Sequence, residues 1–207
     1  MKFDKIILDF DDTLFDDNRF MGDIFLVFQR YGINKKDFDD TYQRIKELRG
    51  GLWHPLNQAG LLFKILPMDF ASNIERVFSN SRRYIFKDAL AFLRSVKVSK
   101  SILSFGDEEA QLKKINNSDI VQYLSSVNIT SDKSKKSFFE ELGSGSGQIA
   151  FIDDKPLIVD TIKANFPDVF CVLMLRNQDN KLGLTKSADA IIKTFDDFPL
   201  LYEDCTC

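Results

Sequence analysis

Cysteine is scarce in this chain, with three in 207 residues. Cys171 falls in an apolar run and Cys205 and Cys207 at the end, an odd number with no framework spacing. That excludes a disulfide-stapled scaffold and fits a reducing, cytoplasmic setting. The CxC pair alone offers too few ligands for a metal site. Long apolar runs are also lacking: Phe170 to Leu175 is short and stops at Arg176, against the roughly 20 residues a membrane helix needs. The N-terminal stretch carries Lys2, Asp4 and Lys5 and runs into acids, so it does not read as an export signal and no membrane partner is expected. Nor is there an excess of positive charge. Lys and Arg number 28 against 31 Asp and Glu, a formal charge of -3, which argues against nucleic acid as a partner. What is abundant is apolar mass: 44% hydrophobic residues, including 20 Phe, suffice for one full α/β domain and a modest insertion.

Apolar runs bounded by charge or glycine mark the strands. Lys5 to Phe10 leads into Asp11, Ser101 to Phe105 closes at Gly106-Asp107, and Gln148 to Ile152 closes at Asp153-Asp154. Val169 to Leu175 and the weaker Ala190 to Ile192 follow, with helical patterns between most of them. This alternation predicts a Rossmann-like, doubly wound parallel sheet. About 85 residues separate the first two runs, far beyond the 10–12 of a minimal crossover. Their apolar residues recur at helical spacing: Phe20, Ile24, Val27, Phe28 and Tyr31 stop at Gly32, and Tyr42, Ile45 and Leu48 stop before Gly50-Gly51. We therefore divide the chain into an α/β core, 1–15 and 85–207, and a small inserted helical domain, 16–84. The run Gly143-Ser144-Gly145-Ser146-Gly147 follows a helix and precedes a strand, the reverse of a phosphate-cradling loop, and reads as a flexible connection. The tail from Glu203 reads as loose.

The chemistry concentrates in Asp9-Phe10-Asp11-Asp12-Thr13-Leu14, directly after the first strand. Carboxylates two apart on an extended backbone face one way, so Asp9 and Asp11 can flank one reacting centre, one attacking while the other moves protons. Ionised, the same acids are hard oxygen ligands for Mg²⁺ beside a phosphate. Acid clusters also cap helices and occupy turns, so this segment alone does not decide.

Ile6 to Leu14 resembles motif I of the haloacid dehalogenase-like (HAD) hydrolase superfamily, an apolar strand followed by DxDx(T/V). Ile102-Leu103-Ser104-Phe105-Gly106 resembles motif II, and Ile149-Ala150-Phe151-Ile152-Asp153-Asp154 the paired-acid form of motif IV, in the family's order. The resemblance spans the sheet domain; the helical insertion matches a C1 cap in position and type only. It implies Asp9 as a nucleophile taking up a phosphoryl group, and Asp11 as the acid and base. Ser104, with Phe105 beside it, would bind a phosphoryl oxygen. Asp153 and Asp154, with Asp9 and the Asp11 carbonyl, would hold Mg²⁺, Asp154 as the more direct ligand. Asp12 stands where relatives often have a small residue, and its side chain is given no task. Motif III needs one lysine, and Lys133, Lys135 and Lys136 all offer themselves. We prefer Lys133, 20 residues before Asp153, and take Lys135 second.

The implied activity is a Mg²⁺-dependent phosphatase hydrolysing a small phosphorylated metabolite through an aspartyl-phosphate. A dehalogenase would use the same nucleophile without needing Asp11, a phosphomutase would return the phosphate, and a non-catalytic binding protein would gain nothing from buried, unshielded carboxylates. Trp53 and His54, the only histidine, are a possible substrate-facing pair, though a lone histidine beside an aromatic is more often structural.

Overall fold

The computed structural model describes residues 3–142, 147–176, 185 and 187–201. Residues 143–146 of the glycine-rich connection, and the tail from 202 with Cys205 and Cys207, lie outside the described residues.

Six strands form one sheet: β1 (Lys5–Leu8), β2 (Ser99–Phe105), β3 (Ser126–Thr130), β4 (Ile149–Asp153), β5 (Phe170–Met174) and β6 (Ala190–Ile192). They run in the order β3-β2-β1-β4-β5-β6, and every pairing is parallel. The Rossmann-like α/β class read from the sequence is thus the observed one. β3 is a strand the sequence reading passed over. Its residues, Ser-Val-Asn-Ile-Thr, are only half-buried at one edge of the sheet, so they carry no apolar run.

The central strands are buried on both faces, as parallel strands flanked by helices must be. Ile7, Leu103, Phe151, Cys171 and Leu173 share one cluster with Ile158, Val159 and Ile162 of α8 (Pro156–Asn165) and Phe139 of α7 (Lys136–Leu142). The alternate residues Ile6, Leu8, Ile152 and Val172 are equally inaccessible. Helix α5 (Lys87–Ser95) packs on the 3₁₀ segment Phe195–Leu201, with Phe92 stacked on Phe195 at 4.4 Å. Going from β1 towards β2 the chain winds one way across the sheet, and from β4 towards β5 the other. The reversal lies between β1 and β4, the place where open α/β sheets bind ligands at their carboxyl ends.

The described chain forms two compact units: Met1–Phe15, Ile85–Phe105 and Ile120–Cys207 in one, Asp16–Tyr84 and Gly106–Asp119 in the other. The second unit holds α1 (Asp17–Arg30), α2 (Lys35–Leu48), α3 (Pro55–Leu62), α4 (Phe70–Ser79) and α6 (Glu108–Asn116). Its core is aromatic, Phe28 meeting Phe38 and Phe70 edge-on at 5.1 and 4.9 Å. The inclusion of 106–119 differs from the sequence division, which left that stretch with the sheet. Ion pairs account for it: Lys113 reaches Glu75 of α4 at 2.8 Å, the buried Lys114 reaches Asp17 of α1 at 3.3 Å, and Asp107 accepts from Arg49 at 3.0 Å.

Phe151 sits in the middle of β4, fully buried and edge-on to Phe139 at 5.2 Å. Phe151→Ala should lower unfolding free energy by about 3–5 kcal/mol, read as a reduced urea midpoint at unchanged slope.

Candidate active site

β1 stops at Leu8, and residues 9–15 fold into a tight turn. The Phe10 carbonyl accepts from the N–H groups of Leu14 and Phe15 at 2.9 and 3.0 Å, and the Asp12 N–H donates to the Phe15 carbonyl at 2.7 Å. Closing this turn puts Asp12 at φ 58°, a left-handed conformation that glycine adopts freely and Asp tolerates better than most residues. Phe10 and Phe15 stack at 4.8 Å beneath the turn, and Arg176 donates from Nε to the Thr13 carbonyl at 2.9 Å. Arg176 is fixed in turn by Asp88 at 2.7 Å and by the Phe86 ring at 4.0 Å. Asp11 belongs to this turn, bridging to Phe15, and is not on an extended strand as the two-residue spacing suggested.

Asp9, the first residue past β1, is buried, and its N–H donates to the Ile152 carbonyl of β4 at 2.8 Å. That places it beside Asp153, the last residue of β4, and Asp154, both buried as well. Each of the three offers a carboxylate oxygen within 4.8 Å of the others. Such crowding of like charges in a dry site needs cations.

Lys135 supplies one. Its Nζ donates to Asp9 Oδ1 and, at 2.7 Å, to Asp153 Oδ2, and its side chain is 1% exposed. This corrects the preference for Lys133, which is exposed, while Lys136 is half-exposed and pairs with Glu140 at 3.2 Å. Counting residues back from Asp153 missed because the loop is not extended. Lys135 sits at φ 59°, which reverses the chain locally. Asp132 holds the loop: its Oδ1 accepts from the Ser134 N–H and hydroxyl at 2.9 and 2.7 Å, and its Oδ2 from the N–H and hydroxyl of Ser137, both at 3.0 Å. Burial tends to raise the Asp132 carboxyl, but these hydrogen bonds hold it down at about 2.

The charges settle accordingly. Burial pushes the Asp9 carboxyl up, and the ammonium groups of Lys135 and then Lys155 overcome it, so Asp9 stays ionised below the usual range. Burial would lower the Lys135 ammonium, yet Asp153 and Asp9 hold it above its ordinary value. Asp153 is pushed up by its burial despite the attraction of Lys135. Among the described residues, buried oxygens without a hydrogen-bond partner include Asp9 Oδ2, Ser104 Oγ at the end of β2, and Thr13 Oγ1 in the turn. Orphaned buried polar atoms are costly unless a ligand completes them. Phe105 is the half-buried last residue of β2.

Trp53 and His54 have structural tasks in the helical unit. Trp53 Nε1 donates to Gln58 Oε1 at 2.8 Å, and the ring meets Tyr42 edge-on. His54 is the N-cap of α3, its Nδ1 accepting from the Leu56 N–H at 3.2 Å, and burial lowers its pKa.

Removing the buried lysine leaves Asp9 and Asp153 without their shared cation. Lys135→Met should cost about 3 kcal/mol at pH 7, and Lys133→Met next to nothing. In the Lys135 variant burial acts on the two carboxyls with only the ammonium of Lys155 against it, which raises their folded-state pKa values. The folded form then binds more protons than the unfolded chain, and the deficit shrinks as pH falls from 7 to 5. Urea unfolding of both variants at the two pH values measures this.

Neither a protein-family model nor a curated protein sequence matches the chain. Solved structures do. A Burkholderia xenovorans protein assigned as a haloacid dehalogenase-like hydrolase aligns over 98% of this chain and 97% of its own, at a TM-score of 0.75 and 19% identity. YfnB of Bacillus subtilis, assigned as a HAD hydrolase and bound to magnesium, covers 99% and 100% at 0.69 and 13%. The L-2-haloacid dehalogenase of Xanthobacter autotrophicus covers 97% and 98% at 0.67 and 14%. With a six-stranded parallel sheet in the order β3-β2-β1-β4-β5-β6, this chain has the fold of the HAD-like hydrolases.

Proposed function

We propose that the protein is a Mg²⁺-dependent phosphatase acting on a small phosphorylated metabolite. The observation that carries this reading is the Lys135 clamp, which binds one oxygen of Asp9 and leaves Oδ2 buried, ionised and without a hydrogen-bond partner.

In this reading Asp9 Oδ2 attacks the phosphorus. An aspartyl-phosphate forms as the bond from phosphorus to the ester oxygen breaks, and Asp11 gives its proton to the departing alcohol. Asp11 then takes a proton from water, whose oxygen attacks the phosphorus and returns Asp9 with release of phosphate. Lys135 balances charge on Asp9 and the phosphoryl oxygens, and Ser104 Oγ donates to one of them at the end of β2, beside Phe105. The clustered oxygens of Asp9, Asp153 and Asp154 are the hard donors that Mg²⁺ prefers. We assign Asp154 and Asp9, with the Asp11 carbonyl, as its ligands. Asp153 stands behind them, since its oxygens accept from Lys135 and from the Lys155 N–H at 2.8 Å. Bound there, the ion neutralises charge on the phosphoryl group. The helical unit, read as a C1 cap, selects the leaving group, and a reducing cytoplasm suits the buried, unpaired Cys171.

Dehalogenation fits less well, because a departing halide needs neither the proton of Asp11 nor the Asp153–Asp154 pair. The purified protein should hydrolyse p-nitrophenyl phosphate and members of a phosphorylated-metabolite panel with Mg²⁺ and lose that activity in chelator. Asp9→Asn should abolish turnover, and Asp11→Asn should reduce it by about 10²–10⁴-fold. Turnover retained in Asp9→Asn, or halide release from 2-haloacids with no phosphate release, would overturn the reading.

A further inference from the structure

Lys155 is a cation that the proposed reaction does not use. It caps α8 directly after Asp153-Asp154 and before Pro156. A helix start repels positive charge, so the helix gives no reason for a lysine here. The carboxylates do: Lys155 Nζ lies 3.1 Å from Asp154 Oδ1 and 3.9 Å from Asp9 Oδ2, an oxygen that accepts no hydrogen bond. Pro156 restricts the residue before it to extended backbone, and Lys155 has φ −102° and ψ 110°, which fixes where its side chain starts.

The two lysines at this sheet edge differ in kind. Lys135 is sealed in, with 1% of its side chain exposed, whereas Lys155 is 53% exposed on a flexible four-carbon stem. Lys155 can therefore leave its partners for water without opening a cavity. Charge balance gives it a reason to leave. With all three acids ionised, Asp9, Asp153 and Asp154 against Lys135 carry an excess of two negative charges; a divalent cation balances both, Lys155 only one.

We propose that Lys155 is a tethered counter-ion, occupying the Asp9–Asp154 site when Mg²⁺ is absent and displaced when it binds. This rests on the Mg²⁺ reading above. Lys155 keeps the acidic edge neutralised between metal-bound states and raises the Mg²⁺ concentration the site requires. It is a positioning residue for charge, with no contact to the reacting phosphorus.

Calorimetric Mg²⁺ titration without substrate tests it directly on wild type, Lys155→Gln and Lys155→Arg, with circular dichroism confirming the fold of each. Lys155→Gln should bind Mg²⁺ about tenfold more tightly, the order expected when the ion no longer has to displace an ammonium group 3.1 Å from a carboxylate oxygen under water-like screening. Lys155→Arg, which keeps the charge, should stay within about threefold of wild type. Without metal, Lys155→Gln should melt at a lower temperature than wild type, and saturating Mg²⁺ should close that gap. Equal or weaker Mg²⁺ binding by Lys155→Gln, with wild type still binding, overturns the tethered counter-ion alone. Absence of Mg²⁺ binding in all three overturns the metal reading and this inference together. Should Lys155→Gln fail to fold, Lys155→Ala takes its place with the same expected direction.

Discussion

The arrangement rests on one buried ammonium group. Carboxylates at the ends of adjacent parallel strands cannot share a dry edge unaided, since each ion loses several kcal/mol of hydration on burial and the ions repel one another. Lys135 makes the edge tenable by donating to Asp9 after β1 and to Asp153 at the end of β4. The lysine reaches them only because its own backbone is left-handed, and that backbone is held by Asp132 with Ser134 and Ser137. A polar loop outside the sheet thus decides whether the acids inside it can remain ionised.

Legibility from sequence followed burial. Ile6, Ile7 and Leu8 are fully buried, and so are Ala150, Phe151 and Ile152, so the two strands that carry the acids stood out as apolar runs closed by Asp. β3 did not, because an edge strand of Ser, Val, Asn, Ile and Thr satisfies its backbone without an apolar face. The lysine was misassigned for a related reason. Spacing arguments assume regular backbone, and the turn at Lys135 is irregular, stabilised by side chains that read as an ordinary polar helix start. The pattern Asp132-x-Ser134-x-x-Ser137, an acid followed by two hydroxyls able to close on it, was the available signal.

The same contrast explains why the acids alone do not name a substrate. Asp9, Asp153 and Lys135 are held by backbone register and ion pairing within the sheet unit, which fixes the electrostatics of one end of a substrate and no more. In the helical unit, the residues that drew attention in the sequence are engaged elsewhere: Trp53 with Gln58 and His54 with the first turn of α3. On the proposed reading, specificity residues in the helical unit are to be sought among side chains outside the aromatic core around Phe28 and Phe70.

The position of β1 has a consequence for the order in which the protein comes apart. Edge strands β3 and β6 have one neighbour each and open with little loss, whereas β1 is bonded to β2 on one side and β4 on the other. Amide exchange in such a sheet grades inward, fastest at the edges and slowest at the centre, where opening approaches global unfolding. Asp9, buried and ionised, thus hangs from the strand that frays last. Fraying of β6 leaves Asp9, Asp153 and Lys135 in place, whereas opening of β3 loosens the loop that follows it and carries Lys135, so the acids lose their cation before they lose their strands.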